Sequence, residues 1–261
     1  MKPLDSTIMA HFRQEERPFV ERCSDWIERS MTRYQPIVTP FLDPREQHIL
    51  ETLIRRQIEV VFFKNGGFPT AERSRVVLGP DYLNEEPELF QLSFLRMETT
   101  SGKMLEHPDV LGSLLGLGLK REKIGDILPH DQGCDVVIVG ELSEFIRMHL
   151  TQVGKEHVTL REISHEDLLI FQPVMTLRTV TVVSLRVDAL ISEGFRLSRT
   201  KATALIKSGK CKVNWKVVEQ PSFTIQEGDM ISIRGYGRLQ LKTLDRITKK
   251  GRKMVEIASY R

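Results

Sequence analysis

The chain has 261 residues, 40% of them hydrophobic and 28% charged, with a formal net charge of +3; this is enough for two or three small globular domains. Three cysteines, Cys23, Cys134 and Cys211, are odd in number and far apart, which excludes a disulfide framework and a zinc ribbon. Neither a signal peptide nor an apolar run long enough to span a bilayer is read, so the expected compartment is the cytoplasm, with no membrane partner.

The modest net charge hides a strong polarity. From Val182 to Arg261 there are 17 Lys and Arg against 7 Asp and Glu, a net of +10, while Met1 to Thr181 carries 21 against 28, a net of −7. The C-terminal end is built for a polyanion, which the rest would repel unless it docks on protein or through local basic patches.

In chain order, Phe19, Val20, Cys23, Trp26 and Ile27 have the i, i+3, i+4, i+7 spacing of a helix core face. After a Pro-broken connection from Tyr34 to Pro40, a second helix opens with Asp43 as N-cap, Pro44 at the first helical position and Glu46 as capping-box partner. Val60 to Phe63 and Val76 to Leu78 flank Asn65-Gly66-Gly67 as a hairpin with a long loop. Lys64, Arg73 and Arg75 make that loop locally basic, a contact for RNA or protein, or an ordinary solvated loop.

The central stretch gives a strand over Leu89 to Met97, a helix over Pro108 to Arg121, strands over Lys123 to Leu128 and Cys134 to Val139, a helix over Ser143 to Val153 and a strand over His157 to Ile163. That order is the ferredoxin-like arrangement also used by RNA-recognition (RRM-like) domains. Val136 to Val139 stand where aromatic stacking residues would lie, so the sheet reads as a scaffold or protein-facing surface. The Gly-rich run from Leu111 to Arg121 lacks dinucleotide and phosphate-loop spacings. It reads as small residues for close helix packing, ending in a Gly cap.

The stretch from Ser184 to Arg238 carries the functional argument. Ser184 to Glu193 reads as a largely buried helix before Gly194, and a second short helix runs from the N-cap Ser198 to Gly209. Ala202, Leu205 and Ile206 form its apolar face, with Arg199, Thr203 and Lys207 aligned beside it. Arg199 at the helix start opposes the macrodipole, which points to an anionic ligand. Lys210 and Lys212 alternate with Cys211 and Val213 as a half-buried strand, and Phe223, Ile225, Ile231 and Ile233 are the expected inward residues of two more, with Arg234 outward. The tight loop Gly235-Tyr236-Gly237-Arg238 follows. A helix pair on a small sheet with one basic face can dock on a phosphate backbone. Lys242, Arg246, Lys249, Lys250, Arg252 and Lys253 read as a tail adding phosphate contacts.

The strings R-x-D-x-L-I, S-R-x-K-A, L-I-K-S-G, K-V-N, P-S and E-G-D-x-I-x-I-R-G, without a gap over this stretch, resemble the RNA-binding domain named after small-subunit ribosomal protein S-four. The resemblance implies that Arg186, Ser198, Arg199, Lys201, Lys207, Lys212, Asn214 and Arg234 face RNA; Thr203, Lys210 and Arg238 complete the candidate set. One departure stands out: the family's turn Asn is followed by Gly, whereas this chain has Trp215, read as a stacking platform for a base or, more strongly, as a buried core indole.

No catalytic constellation is read: the seven histidines form no His-Glu-x-x-His pair, and the signatures of pseudouridine synthases, methyltransferases and tyrosyl-tRNA synthetases are absent. Neither a metal nor a cofactor is expected. With Phe41-Leu42-Asp43-Pro44-Arg45-Glu46, His107-Pro108-Asp109-Val110-Leu111-Gly112, the run Gly116 to Ile127, Val153-Gly154-Lys155 and Arg234-Gly235-Tyr236-Gly237-Arg238, nearly the full chain resembles the YlmH family of bacterial RNA-binding proteins. Members sit beside cell-division genes in many Gram-positive bacteria.

That resemblance implies a non-enzymatic factor bound to large-subunit ribosomal RNA and tRNA or peptidyl-tRNA, with ribosomal proteins as secondary partners, in quality control of stalled nascent chains. The alternatives are an RNA-modifying enzyme with its site in the α/β region and a division-linked interaction protein. The expected architecture is α+β and monomeric: a helical region with a hairpin over 1–80, a ferredoxin-like domain over 81–180 and the S-four-type domain over 181–261.

Overall fold

Helix α1 (Arg17–Arg33) buries Phe19, Val20, Cys23, Trp26 and Ile27 on one side, the face its periodicity predicts. In the computed structural model, which describes residue 12 and residues 14–33, 35–55, 59–170, 175–247 and 252–260, strand β1 (Ile37–Val38) follows, then helix α2 (Pro44–Ile54). The expected capping box is present: Asp43 Oδ1 accepts from the Glu46 amide at 2.9 Å, and Glu46 Oε2 accepts from the Asp43 amide at 2.8 Å. Such a cap is worth about 1 kcal/mol. Strands β2 (Val60–Asn65) and β3 (Arg75–Pro80) pair antiparallel, β1 adds to β3, and both helices share a core with this small sheet.

The basic residues of the β2–β3 loop do not form a ligand surface. Arg75 is buried and donates to the carbonyls of Thr39, Phe90 and Gln91, at 2.7 to 3.2 Å. Arg73 donates to the carbonyls of Phe41 and Ile124. Both guanidiniums satisfy main-chain acceptors, and only Lys64 stays exposed, 3.1 Å from Glu51.

The central sheet contains β4 (Leu92–Thr99), β5 (Ile124–His130), β6 (Gly133–Val139), β7 (Gln152–Val153) and β8 (Glu156–Ile163), in the spatial order β5-β6-β4-β8-β7. With α3 (His107–Gly116) after β4 and α4 (Ser143–His149) after β6, it has the ferredoxin-like order expected from the sequence, extended by the short edge strand β7. Leu95, Met97, Val136 and Ile138 face the helices in one core. The close-packing reading of the Gly run is corrected: a Cβ on Gly112 or Gly116 would meet nothing within 4 Å. Gly118, at φ +85, does stand just past the helix end.

The opposite face, where an RNA-recognition domain stacks bases, is covered from within the chain. Val137 and Val139 pack there with Phe41, Phe68, Leu92 and Phe94. A Cβ on Gly125 would lie 2.7 Å from the Phe41 ring, so the approach depends on glycine. Glu72 and Arg73 amides donate to the Asp126 carboxylate at 2.7 and 3.1 Å. These contacts knit the N-terminal helices and the central sheet into one compact unit, residues 1–171.

Asp135 is fully buried at one end of this face. Arg96 grips it with two 2.7 Å hydrogen bonds, His130 Nε2 lies 3.1 Å away and the Leu169 amide donates at 2.9 Å. Burial opposes the Asp135 charge, but these hydrogen bonds outweigh it and hold the carboxyl below its ordinary range. Arg96, which also donates to the Asp167 carbonyl, and Asp135 thus clamp residues 167–169 to the sheet.

The second unit, residues 172–261, includes β9 (Met175–Val182), which pairs with the last strand of its sheet. Helices α5 (Val187–Phe195) and α6 (Arg199–Lys207) pair and lie on a six-stranded sheet ordered β11-β10-β12-β13-β14-β9. Its strands are β10 (Cys211–Val213), β11 (Lys216–Val217), β12 (Met230–Ile233), β13 (Gly237–Ile247) and β14 (Lys253–Tyr260). Lys242, Arg246 and Lys253 are therefore strand residues and Arg252 adjoins β14, not a tail; Lys249 and Lys250 lie outside the described residues. Helix α5 continues through Gly194, where a Cβ would lie 2.1 Å from Leu239, and ends at Arg196 in the left-handed region. Phe223, expected inward, is 39% exposed, because residues 222–225 contribute only an isolated bridge between Thr224 and Arg186.

Candidate nucleic-acid interface

Helix α6 and Arg186, the N-cap residue of α5, carry the cations of the helix layer of the second unit. Ser198 caps α6 as expected, its hydroxyl oxygen accepting from the Lys201 amide at 3.2 Å. Ala202 and Ile206 are fully buried against α5 and the sheet, and Leu205 packs at the margin. Arg199, Lys201 and Lys207 are exposed and Thr203 is half-buried.

Arg199 has an anionic partner inside the protein. Its Nη2 donates to Asp188 Oδ1 at 3.3 Å, while Arg186 contacts both oxygens of the same carboxylate at 3.2 Å. Asp188 is buried, whereas about half of each arginine side chain is open to solvent. This accounts for a cation at the start of α6 without an external ligand, and it fixes two guanidiniums side by side with one positive charge in excess.

A second contact joins the helix layer to the β12–β13 turn. Lys201 Nζ sits 5.5 Å from the Tyr236 ring centroid, and Tyr236 packs against Phe195 with centroids 6.0 Å apart. The Arg234 amide donates to the Lys210 carbonyl at 3.0 Å, so these two exposed cations are neighbours at the rim of the sheet.

The candidate residues do not share a single face. In the register Lys212↔Ser232↔Arg238, these side chains alternate with Cys211, Val213, Ile231, Ile233 and Leu239, which are buried under the helices. Lys212 and Arg238 therefore lie on the sheet surface opposite Arg199 and Lys207. Asn214 is committed to the fold: its amide nitrogen donates to Asp229 at 2.7 Å and its oxygen accepts from the Met230 amide at 2.9 Å. Trp215 is half-buried and outside the core cluster, which corrects the core reading.

What sequence reasoning missed is β9, β13 and β14. In β9 the alternation Thr179-Val180-Thr181-Val182 was a strand signal present in the sequence. Among the described residues no group of three His, Cys, Asp or Glu is placed to hold a metal, and no helix is long and apolar enough to cross a membrane. Cys23, Cys134 and Cys211 are all buried and unpaired; burial pushes the Cys211 thiol up to about 12 and the other two higher still.

Comparison with known proteins accounts for the order of these parts. Residues 15–83 match the YlmH N-terminal model, residues 86–167 the RNA-binding domain proposed in YlmH, and residues 185–231 the S4 domain. Ribosome-associated protein quality control protein P2 of Bacillus subtilis (strain 168) is 40% identical over 246 residues, 94% of this chain and 95% of that protein. An uncharacterized RNA pseudouridine synthase of Aquifex aeolicus (strain VF5) is 35% identical over 51 residues, but this covers only 20% of this chain and 21% of that one. Among solved structures, cell division protein ylmH from Streptococcus pneumoniae superposes with a TM-score of 0.55 at 26% identity, covering 60% of this chain and 96% of that chain. With a relative matched almost end to end and three domain models in the order in which the structure lays them out, the chain belongs to the YlmH family.

Proposed function

We propose that the protein is a non-enzymatic RNA-binding factor that works on the large ribosomal subunit, contacting ribosomal RNA and tRNA or peptidyl-tRNA during quality control of stalled nascent chains. The observation that carries this reading is the helix layer of an S4 domain with Arg186, Arg199, Lys201 and Lys207 open to solvent, in a chain similar over 94% of its length to a ribosome-associated quality-control protein. Backbone-directed cations on a rigid helix pair suit folded RNA recognised by shape and phosphate position. The protein is read as cytoplasmic, monomeric and ribosome-associated. Its first unit, with the base-stacking face covered by Phe41 and Phe68, serves as a scaffold or a protein contact.

The pneumococcal structure's description as a cell division protein favours one second reading, a division-linked interaction protein whose RNA binding is secondary. Sedimentation of tagged protein through ribosome gradients separates the two, comparing intact lysate with lysate whose subunits are split at low magnesium. Co-migration with the large subunit in both supports the first reading. Retention at the top of both gradients overturns it.

A further inference from the structure

The turn between β10 and β11 holds two adjacent non-glycine residues at positive φ, Asn214 at +47 and Trp215 at +64. Positive φ at both central residues of a two-residue hairpin is the type I′ pattern, for which Asn-Gly is the low-strain pair. A Trp in the second position carries a steric cost that glycine avoids. Such strain persists only where the surroundings over-determine it, and here they do. The Asn214 amide donates to the Met230 carbonyl at 2.8 Å, and its side chain bonds both Asp229 and the Met230 amide.

Core packing does not offset the strain. Trp215 is neither in the module's hydrophobic core nor among the apolar residues packed against it, and its indole N–H has no hydrogen-bond partner among the described residues. The result is a large, half-buried ring held outside the core on a rigid hairpin. Two lysines, Lys212 and Lys216, stand on the same hairpin, and the nearby Asp229 is taken up by its hydrogen bond to the Asn214 side chain. A rigid aromatic flanked by lysines is the arrangement on which unpaired bases stack.

We propose that Trp215 is a stacking platform for an unpaired nucleobase of the bound RNA. This rests on the RNA-binding reading and adds to it a preference for RNA with at least one base outside a duplex.

The test uses the full-length chain at low salt, where phosphate contacts are strongest, with fluorescently labelled oligoadenylate and a blunt RNA duplex of equal length as probes. Binding is followed by anisotropy of the label, and stacking by indole emission with unlabelled RNA. The other tryptophan, Trp26, is buried edge-on to Phe19 and supplies a constant background, read directly from W215G. Oligoadenylate should quench the emission of the wild type and leave that of W215G unchanged. W215G, whose turn is relieved, should melt no lower than the wild type yet bind oligoadenylate about tenfold more weakly, with duplex binding unaltered. W215F should keep most of the affinity.

Unquenched emission at saturating oligoadenylate, or W215G binding as tightly as the wild type, overturns the platform and leaves the RNA reading standing. No anisotropy change with either RNA overturns both.

Discussion

Arg199, the first residue of α6, is tied to Asp188 of α5 by a 3.3 Å hydrogen bond, and the same buried carboxylate also holds Arg186. Two cations expected to face RNA are thus aligned by one anion, so charge and position can be separated experimentally. Asp188→Asn raises the net charge by one, which on charge alone would tighten RNA binding. Because Asn cannot hold two guanidiniums, the expected outcome is weaker binding together with a loss of about 1.5–3 kcal/mol of stability. Filter binding beside urea denaturation reads both effects; tighter binding would show that alignment is irrelevant.

Replacing Arg199 and Lys207 together by Ala removes two exposed cations from the solvent side of α6 and leaves the buried Ala202 and Ile206 untouched. The fold should survive while ribosome association is lost. If both side chains contact phosphates, the slope of log K against log salt should become shallower by about 1.4–1.8. Circular dichroism, co-sedimentation and a salt titration check this, and a folded double variant that still pellets with ribosomes would remove α6 from the interface.

Local physics made some of the architecture legible and left other parts hidden. The capping box at Asp43 and Glu46, the α1 stripe and the Ser198 cap depend on neighbours within one helical turn, so they could be read from spacing alone. Arg73 and Arg75 looked like a basic loop because their acceptors, the carbonyls of Phe41, Thr39, Phe90 and Ile124, are distant in sequence. The same applies to the supposed single basic face. Lys212 and Arg238 were grouped with Arg199 by charge, and only the strand register places them on the other side of the sheet. Resemblance supplied the RNA-binding role, but not Asp188 as the anion that orders the arginines.

The Arg96–Asp135–His130 clamp gives a specific acid response. Asp135 has a folded-state value below that of the unfolded chain, so its stabilisation is fully present above the ordinary aspartate range, about 4. It is lost as pH falls through the lowered folded value. Asp135→Ala leaves Arg96 buried without its partner and should cost about 3–5 kcal/mol. The conservative Asp135→Asn should destabilise less and should flatten the fall in stability below about pH 4. Chemical denaturation at stepped pH measures both; an unchanged acid limb in the Asn variant would mean that other carboxylates control acid unfolding.

Gly125 tests whether the covered face of the central sheet holds residues 1–171 together. Its Cα stands against the Phe41 ring, and a methyl group there would approach a ring carbon to 2.7 Å and Val137 Cβ to 3.1 Å. Phe41 is itself 1% exposed and cannot swing to solvent without uncovering Val137 and Val139. Gly125→Ala should therefore destabilise by about 1–3 kcal/mol through overpacking. Phe41→Ala should cost about 3–5 kcal/mol by leaving a cavity. Combining them should be less damaging than the two costs added, because the methyl group then enters the space the ring has vacated, which is the coupling expected of residues in contact. A double-mutant cycle from urea midpoints decides it: strictly additive losses would show that the Phe41 ring does not press on Gly125, and that the sheet face is covered by something other than this contact.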